Sequence, residues 1–481
     1  MSGLDDLVGL DALAQAELVR RKAMTPLELV DAAVERIERV NGKVNAVVLA
    51  MYEHARALAA QPPGPGPFAG VPFLLKDFLA EYAGFRFTEG TAFLRDFVPT
   101  EDTELVRRYK RAGLIVVGKT NTPEMAVGPT TEPRLFGPTR NPWNLARTAG
   151  GSSGGAAAAV ASGMVPAAHG NDAGGSIRVP AACCGVFGLK PTRGRNPLGP
   201  RYGDVMSGLV AEHVLTRSVR DSAALLDATA GPDLGDPYWA APPARPFLKE
   251  IGAPPGRLRI AFTTRTLDGA DVHPDCAAAV RQAALLLEGL GHEVAEGTPR
   301  IEAEPFFRAF TSVLAVGFTW GIDDWKRRTG REPTAELFEP FVWAFTGRGR
   351  QFTGPEYLTA VQGLQAASRE IARFFVDHDV WLTPMLGEPP VPLGTFSYAG
   401  GDPFDLRRRM AAFTPFTYVA NVTGQPAMSV PTFWNADDLP LGTQFVGRFG
   451  EEAVLLRLAS QIEAAQPWAT RRPPVFAAPL A

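Results

Sequence analysis

The apolar positions of the chain repeat with two different periods, and the switches between them outline its organisation. Leu27, Val30, Val34 and Ile37 recur at helical spacing behind Thr25-Pro26-Leu27-Glu28, a capping box with proline in the first turn, and Asn41-Gly42 is expected to stop that helix. Residues 1–60 therefore read as a helical region. After a Pro/Gly-rich loop from Gln61 to Pro67, Val71-Pro72-Phe73-Leu74-Leu75 is a short apolar run that ends in Lys76-Asp77, the pattern of a buried strand whose polar end faces a cleft. A helix from Thr103 to Ala112 closes at Gly113 and hands over to a second buried strand, Leu114-Ile115-Val116-Val117, an alternation that predicts an α/β fold with a partly parallel sheet. Residues 220–370 return to amphipathic helices such as Asp275 to Leu290. Val380-Trp381-Leu382, Ala427-Met428-Ser429-Val430 and Thr443-Gln444-Phe445-Val446 then bring strands back before a last helix from Glu452 to Ala464. With no internal repeat and no long linker, the expectation is one unit: a core at 70–215, a variable helical region at 220–370 and a return to the sheet at 375–470.

Composition narrows the function classes. Apolar residues make up 46% and charged residues 21%, which excludes disordered and fibrous architectures. Forty-eight basic against fifty-one acidic residues leave a net charge of −3, so neither nucleic acid nor an anionic membrane surface is an expected partner. The three cysteines, Cys183, Cys184 and Cys276, make no CxxC pair or disulfide framework, and the opening MSGLDDLVGL lacks the basic and apolar segments of a secretory leader. Both point to the cytoplasm, where the Asn421-Val422-Thr423 sequon has no role. The alanine-rich run from Ala156 to Ala168 is shorter than the roughly 20 residues a membrane helix needs.

Two motif matches have to be weighed. Gly113 to Thr120 fits the phosphate-loop pattern GxxxxGK[ST], but the residues between its glycines are Leu, Ile, Val and Val, which form a strand where a flexible loop is required. Gly150-Gly151-Ser152-Ser153-Gly154 fits the GxSxG nucleophile elbow, yet none of His169, His213, His273, His292 and His378 sits in a site-like setting, and no pair has zinc spacing. If serine chemistry occurs, its base is expected to be something other than histidine. Two glycine-flanked serines offer it: Ser152 within Gly150–Gly155, and Ser176 within Asp172-Ala173-Gly174-Gly175-Ser176-Ile177-Arg178-Val179-Pro180, with Lys76 at the earlier strand end.

These blocks, in this order, resemble the amidase signature family. So do Gly70-Val71-Pro72, Gly118-Lys119-Thr120-Asn121, Thr139-Arg140-Asn141-Pro142-Trp143, Gly188-Leu189-Lys190-Pro191-Thr192 and Gly424-Gln425-Pro426-Ala427. The resemblance implies a single α/β/α domain over 1–481 with a mixed sheet of about eleven strands and a Ser–cis-Ser–Lys triad. Carried over, Ser176 is the nucleophile, Ser152 the bridging serine and Lys76 the base; the backbone N–H groups of Ala173, Gly174, Gly175 and Ser176 form the oxyanion hole. Ser153, Asp172 and Arg178 are expected to hold these loops, and Met125 and Asn171 to contact substrate.

Thr130-Thr131-Glu132-Pro133, His169-Gly170-Asn171-Asp172 and Pro191-Thr192-Arg193-Gly194-Arg195 are similar to the branch of nylon-oligomer hydrolases, bacterial amidases and urethanases. Asn171 and Arg193 depart from the Ser/Thr and Tyr of amidotransferase A subunits, which stay as an alternative beside a catalytically silent binding protein. The expectation is a cofactor-free and metal-free hydrolase of small uncharged amides, carbamates or nylon-type oligomers. Phe306, Phe307, Phe310, Phe318 and Trp320 are available as pocket wall or as core.

Overall fold

Near-continuous apolar runs can pair on both sides only inside a covered sheet, and an eleven-stranded sheet in which all but the two edge strands are paired on both sides forms in the computed structural model, which describes residues 7–478. The first residues of the opening segment read above for a leader lie outside the described residues. The strands are β1 (Val47–Ala50), β2 (Pro72–Lys76), β3 (Ile115–Thr120), β4 (Arg140–Asn141), β5 (Asn144–Thr148), β6 (Ala167–Asp172), β7 (Phe187–Lys190), β8 (Ala211–Thr216), β9 (Arg259–Phe262), β10 (Glu293–Glu296), β11 (Val380–Pro384), β12 (Ala427–Trp434) and β13 (Pro440–Gly447). The sheet runs β1-β3-β2-β6-β8-β7-β12-β13-β11-β9-β10, with β4 and β5 as a separate ribbon. β2 lies parallel to both β3 and β6, and β9 parallel to both β10 and β11; the other pairings are antiparallel. The mixed α/β class and the strand number are as expected.

Three local expectations need correction. The helix Pro26–Val44 runs past Asn41-Gly42, because Asn41 Oδ1 accepts the N–H groups of Ala46 and Val47 (2.9 and 2.8 Å) and the left-handed turn falls to Asn45 (φ 53°, ψ 49°). The N-terminal region also contributes β1, which pairs antiparallel with β3. The helical stretch 220–370 contains β9 and β10, and β10 escapes an apolar-run criterion because it is a four-residue edge strand, Glu-Val-Ala-Glu. The phosphate-loop match behaves as a strand: Lys119 is buried on β3, donating to the Arg86 carbonyl at 2.5 Å, with Asp77 at 3.6 Å. Among the described residues no helix is long and apolar enough to cross a membrane.

The helix Gly154–Ala161, GGAAAAVA, is buried along its whole length and touches β2, β3, β6 and β8. Only small side chains allow such an approach. A Cβ on Gly155 would lie 2.5 Å from Asn121 N and 2.7 Å from the Ala46 carbonyl oxygen, whereas one on Gly42, within the helix Pro26–Val44, would meet nothing within 4 Å. Gly155→Ala is therefore expected to lower stability in chemical denaturation by about 1–3 kcal/mol through overpacking. Gly42→Ala should raise it by up to about 1 kcal/mol through helix propensity. Equal effects from the two would contradict the packing account.

Candidate active site

The parallel pairing of β2 with β6 brings Lys76, the last residue of β2, beside Asn171 near the end of β6. Lys76 is fully buried, and its Nζ lies 2.6 Å from Ser152 Oγ and 2.6 Å from Asn171 Oδ1. Asn171 Nδ2 donates to the Phe78 carbonyl at 3.2 Å, which fixes its amide with the oxygen toward the amine. Asn171 thus meets the lysine, whereas the sequence assigned it to substrate. Burial pushes the Lys76 amine down to about 7, only partly offset by the Glu212, Asp172 and Glu89 carboxylates. His169 holds the strand end from below: Nδ1 accepts the Lys76 backbone N–H (3.3 Å), and Nε2–H donates to Glu212 (2.5 Å). That uses both ring nitrogens structurally.

The two serine loops meet through backbone: Ser153 N–H donates to the Ser176 carbonyl at 3.1 Å, and Ser153 Oγ to the Asn171 carbonyl at 3.3 Å. The Gly151–Ser152 peptide bond is cis. Gly151 has no room for a side chain, since a Cβ would stand 2.5 Å from the Thr130 carbonyl oxygen.

Asp172 and Arg178, both fully buried, form a bidentate pair, with Nη2 to Oδ1 at 2.8 Å and Nε to Oδ2 at 2.9 Å. Burial alone would raise the Asp172 carboxyl, but the adjacent guanidinium, further hydrogen bonds and Lys190 hold it far below the usual carboxylate range. Asp172 also accepts from Gly175 N (2.7 Å), Ile177 N (3.1 Å) and Asn421 Nδ2 (2.9 Å). The remaining Arg178 donors go to the Thr417 carbonyl (2.8 Å), Gln444 Oε1 (2.6 Å) and Asn421 Oδ1 (2.6 Å). Thr417 Oγ1 donates to the Gly174 carbonyl at 2.5 Å, so the Gly174–Gly175 peptide is held at both ends.

This corrects the oxyanion set. The Gly175 N–H is committed to Asp172, while those of Ala173, Gly174 and Ser176 have no acceptor among the described residues. Gly175 (φ +133°) is required for the turn itself: a side chain there would be strained and would meet Thr417 Oγ1 at 2.7 Å.

Ser176 is half-buried at the edge of a cavity of about 60 Å³ shared with Gly151, Ala173, Gly174 and Gly175. The far wall is Val127, Leu314, Phe318, Phe345 and Arg407. Met125, expected at the substrate, is instead buried in the core, and the wall begins at Ala126. Of the candidate aromatics only Phe318 lines this cavity: Phe306 and Phe310 stack on Tyr418, Phe307 meets it edge-on, and Trp320 is exposed beside Tyr202. Thr417, Asn421, Gln444, Phe345 and Arg407 carried no recognised signal, Asn421 having been met only within the sequon.

Comparison with known proteins agrees over the full chain. The amidase family model matches residues 28–456. The chain is 39% identical over 477 residues to a 6-aminohexanoate-cyclic-dimer hydrolase of Paenarthrobacter ureafaciens, covering 96% of each, and 38% identical over 480 residues to the putative amidase AmiB2 of Mycobacterium tuberculosis, covering 98% of this chain and 99% of that one. Among solved structures, 6-aminohexanoate cyclic dimer hydrolase complexed with substrate superposes with a TM-score of 0.93 at 38% identity, covering 98% of this chain and 99% of that one. A bacterial aryl acylamidase of the amidase signature enzymes superposes with 0.87 at 27% identity, covering 96% and 97%.

Removing the guanidinium leaves a buried carboxylate that has lost its charge partner and two of these five donors. Arg178→Met is expected to destabilise the fold by about 3–5 kcal/mol, read by chemical denaturation. A loss below about 1 kcal/mol would contradict the central role given to this pair.

Proposed function

The chain belongs to the amidase signature family, and on that premise we propose that it hydrolyses the C–N bond of small amides through an acyl-enzyme on Ser176. The observation that carries the reading is the buried amine of Lys76, depressed to about 7 and 2.6 Å from Ser152 Oγ. A neutral amine has two N–H donors and one lone pair. Asn171 Oδ1 can only accept, so it takes an N–H and leaves the lone pair to the Ser152 hydroxyl. Ser152, drawing a proton from Ser176, passes its own to Lys76 as Ser176 Oγ attacks the carbonyl carbon. The N–H groups of Ala173, Gly174 and Ser176 receive the developing oxyanion. Ser152 then returns a proton to the departing nitrogen, and water, activated by the same relay, releases the acid and regenerates Ser176.

The apolar wall of Val127, Leu314, Phe318 and Phe345 suits alkyl or aryl amides. Carbamates present the same carbonyl and the same nitrogen leaving group, so urethanes belong to the proposed range, as do the nylon-type oligomers on which the cyclic-dimer hydrolases are named. The reading needs no cofactor or metal, and the three buried cysteines suit a cytoplasmic enzyme. Asp172, Arg178 and Ser153 act by positioning the two loops, and the regions from 70 to 470 work as one unit.

Lys76 works only when neutral, and it is protonated below its depressed value. Activity on an aryl amide is therefore expected to rise with pH through about 7 and level off above it. Asn171→Asp places an anion against the amine and favours its charged form, which should move the rising limb about 1–3 pH units toward alkali; an unmoved limb would refute the proposed role of Asn171. Ser176→Ala should abolish fluorophosphonate labelling and reduce turnover by about a thousandfold or more, and retention of a few per cent of turnover would refute the nucleophile. Ser152→Ala should cost an anilide more than the matching ester, whose alkoxide needs less protonation. Turnover of glutamine with none on the anilide, carbamate or cyclic diamide would favour an amidotransferase subunit instead.

A further inference from the structure

Three consecutive arginines lie on the helix Pro403–Phe413, and their fates differ. Arg408 pairs with Glu304 at 2.6 Å, and Arg409 donates to the Thr395 carbonyl at 3.0 Å. The Arg407 side chain makes no hydrogen bond or ion pair with any described residue, although the residue is half-buried and lines the same cavity as Ser176. Its guanidinium lies 5.7 Å from the ring centre of Phe310, and Phe310 in turn reaches the nucleophile loop, with its Cζ 3.1 Å from where a Cβ on Gly174 would stand. Among the described residues no carboxylate acts on it, and the one ionisable neighbour that does is the buried phenol of Tyr418. Burial lowers Arg407 only to about 10, so it remains a cation at neutral pH.

An adjoining cavity of about 200 Å³ shares the wall residues Val127 and Gly128 and holds Glu124, Glu132 and Glu339. Each of those carboxylates is already occupied by a backbone N–H, from Glu339, Gly394 and Arg134 respectively. Arg407 is the charged side chain at the reacting end that has no counterpart.

A partly desolvated guanidinium without an anion is costly to keep, and its planar fork matches a carboxylate. We propose that Arg407 binds a carboxylate of the substrate, so that the enzyme selects small amides carrying one acidic group over their neutral counterparts. This rests on the amidase reading above and narrows its substrate class, departing from the expectation of uncharged substrates. That expectation came from the lack of an acidic or basic cluster near the serine motifs in sequence; Arg407 reaches them only through the fold.

The test pairs kinetics with binding. Para-nitroanilides whose acyl chain ends in a carboxylate or in the neutral primary amide probe the acyl side. N-acyl para-aminobenzoates and the corresponding benzamides probe the leaving side. In at least one pair the wild type should favour the acid by about tenfold or more in kcat/KM, mainly through KM; Arg407→Met should abolish that ratio and Arg407→Lys restore part of it. Binding of glutarate and of para-acetamidobenzoate to Ser176→Ala, followed by calorimetry, should be saturable and be lost in Ser176→Ala/Arg407→Met. A ratio of one in both wild-type pairs, or equal losses on acid and neutral substrates in Arg407→Met, overturns the proposal while fluorophosphonate labelling of Ser176 upholds the amidase reading. If Ser176 does not label and no anilide is cleaved, the amidase reading fails. The calorimetric arm still decides this proposal, and binding of neither acid overturns it.

Discussion

A charge pair with no access to water governs the geometry of this site. Asp172 and Arg178 are both fully buried, an arrangement that costs more than it returns unless the contact is close and every remaining donor and acceptor is used. Here they are used across distant parts of the chain: Asp172 ends β6, Arg178 starts the helix that follows the nucleophile loop, and Thr417, Asn421 and Gln444 come from the last third. The same carboxylate takes the Gly175 N–H, and Thr417 takes the Gly174 carbonyl. The peptide planes beside Ser176 are thus set by the satisfaction of one ion pair, before any substrate arrives, as the proposed oxyanion stabilisation would require.

Burial acts with the opposite consequence on Lys76. Among the described residues no carboxylate touches its amine; its hydrogen-bond partners are a hydroxyl and an amide oxygen, and desolvation prevails. Desolvation alone does not make a base. Lys190 is equally buried and is also pushed to about 7, by burial and by nearby Arg178, yet among the described residues its Nζ hydrogen-bonds only the Pro191 carbonyl. What separates the two lysines is the hydroxyl of Ser152, delivered by a loop whose glycines admit close backbone contact.

That contrast explains what could be read without coordinates. Strands such as Pro72–Lys76 and the helix start at Thr25 were legible because buried runs and capping boxes are local patterns. The four-residue strands β1, β9 and β10 were not, since pairing across the sheet determines them more than their own composition. In the site, Ser152, Ser176 and the Asp172–Arg178 pair lie in short glycine-rich blocks. The turn of Asn171 toward Lys76, the commitment of the Gly175 N–H and the entry of Thr417, Asn421 and Gln444 are contacts of tertiary structure. The Met125–Ala126 kink, with φ of 53° and 57° just where the cavity wall begins, likewise has no residue type to announce it.

Chemistry and recognition are accordingly drawn from different stretches. Lys76, Ser152 and residues 171–178 form the proposed reacting centre, whereas the rest of the cavity lining includes residues around 127, 314–318, 345 and 407. Phe310, outside the cavity lining, approaches Gly174. The charges acting on the Lys76 amine are those of Glu212, Asp172 and Glu89, and Arg407 is not among them. A cation on the wall can therefore act on a bound substrate without appreciably retuning the base. On the proposed mechanism this separation would let one proton relay serve amides of differing shape and charge, because altering the wall changes which carbonyl is presented while leaving unchanged the groups that depress Lys76.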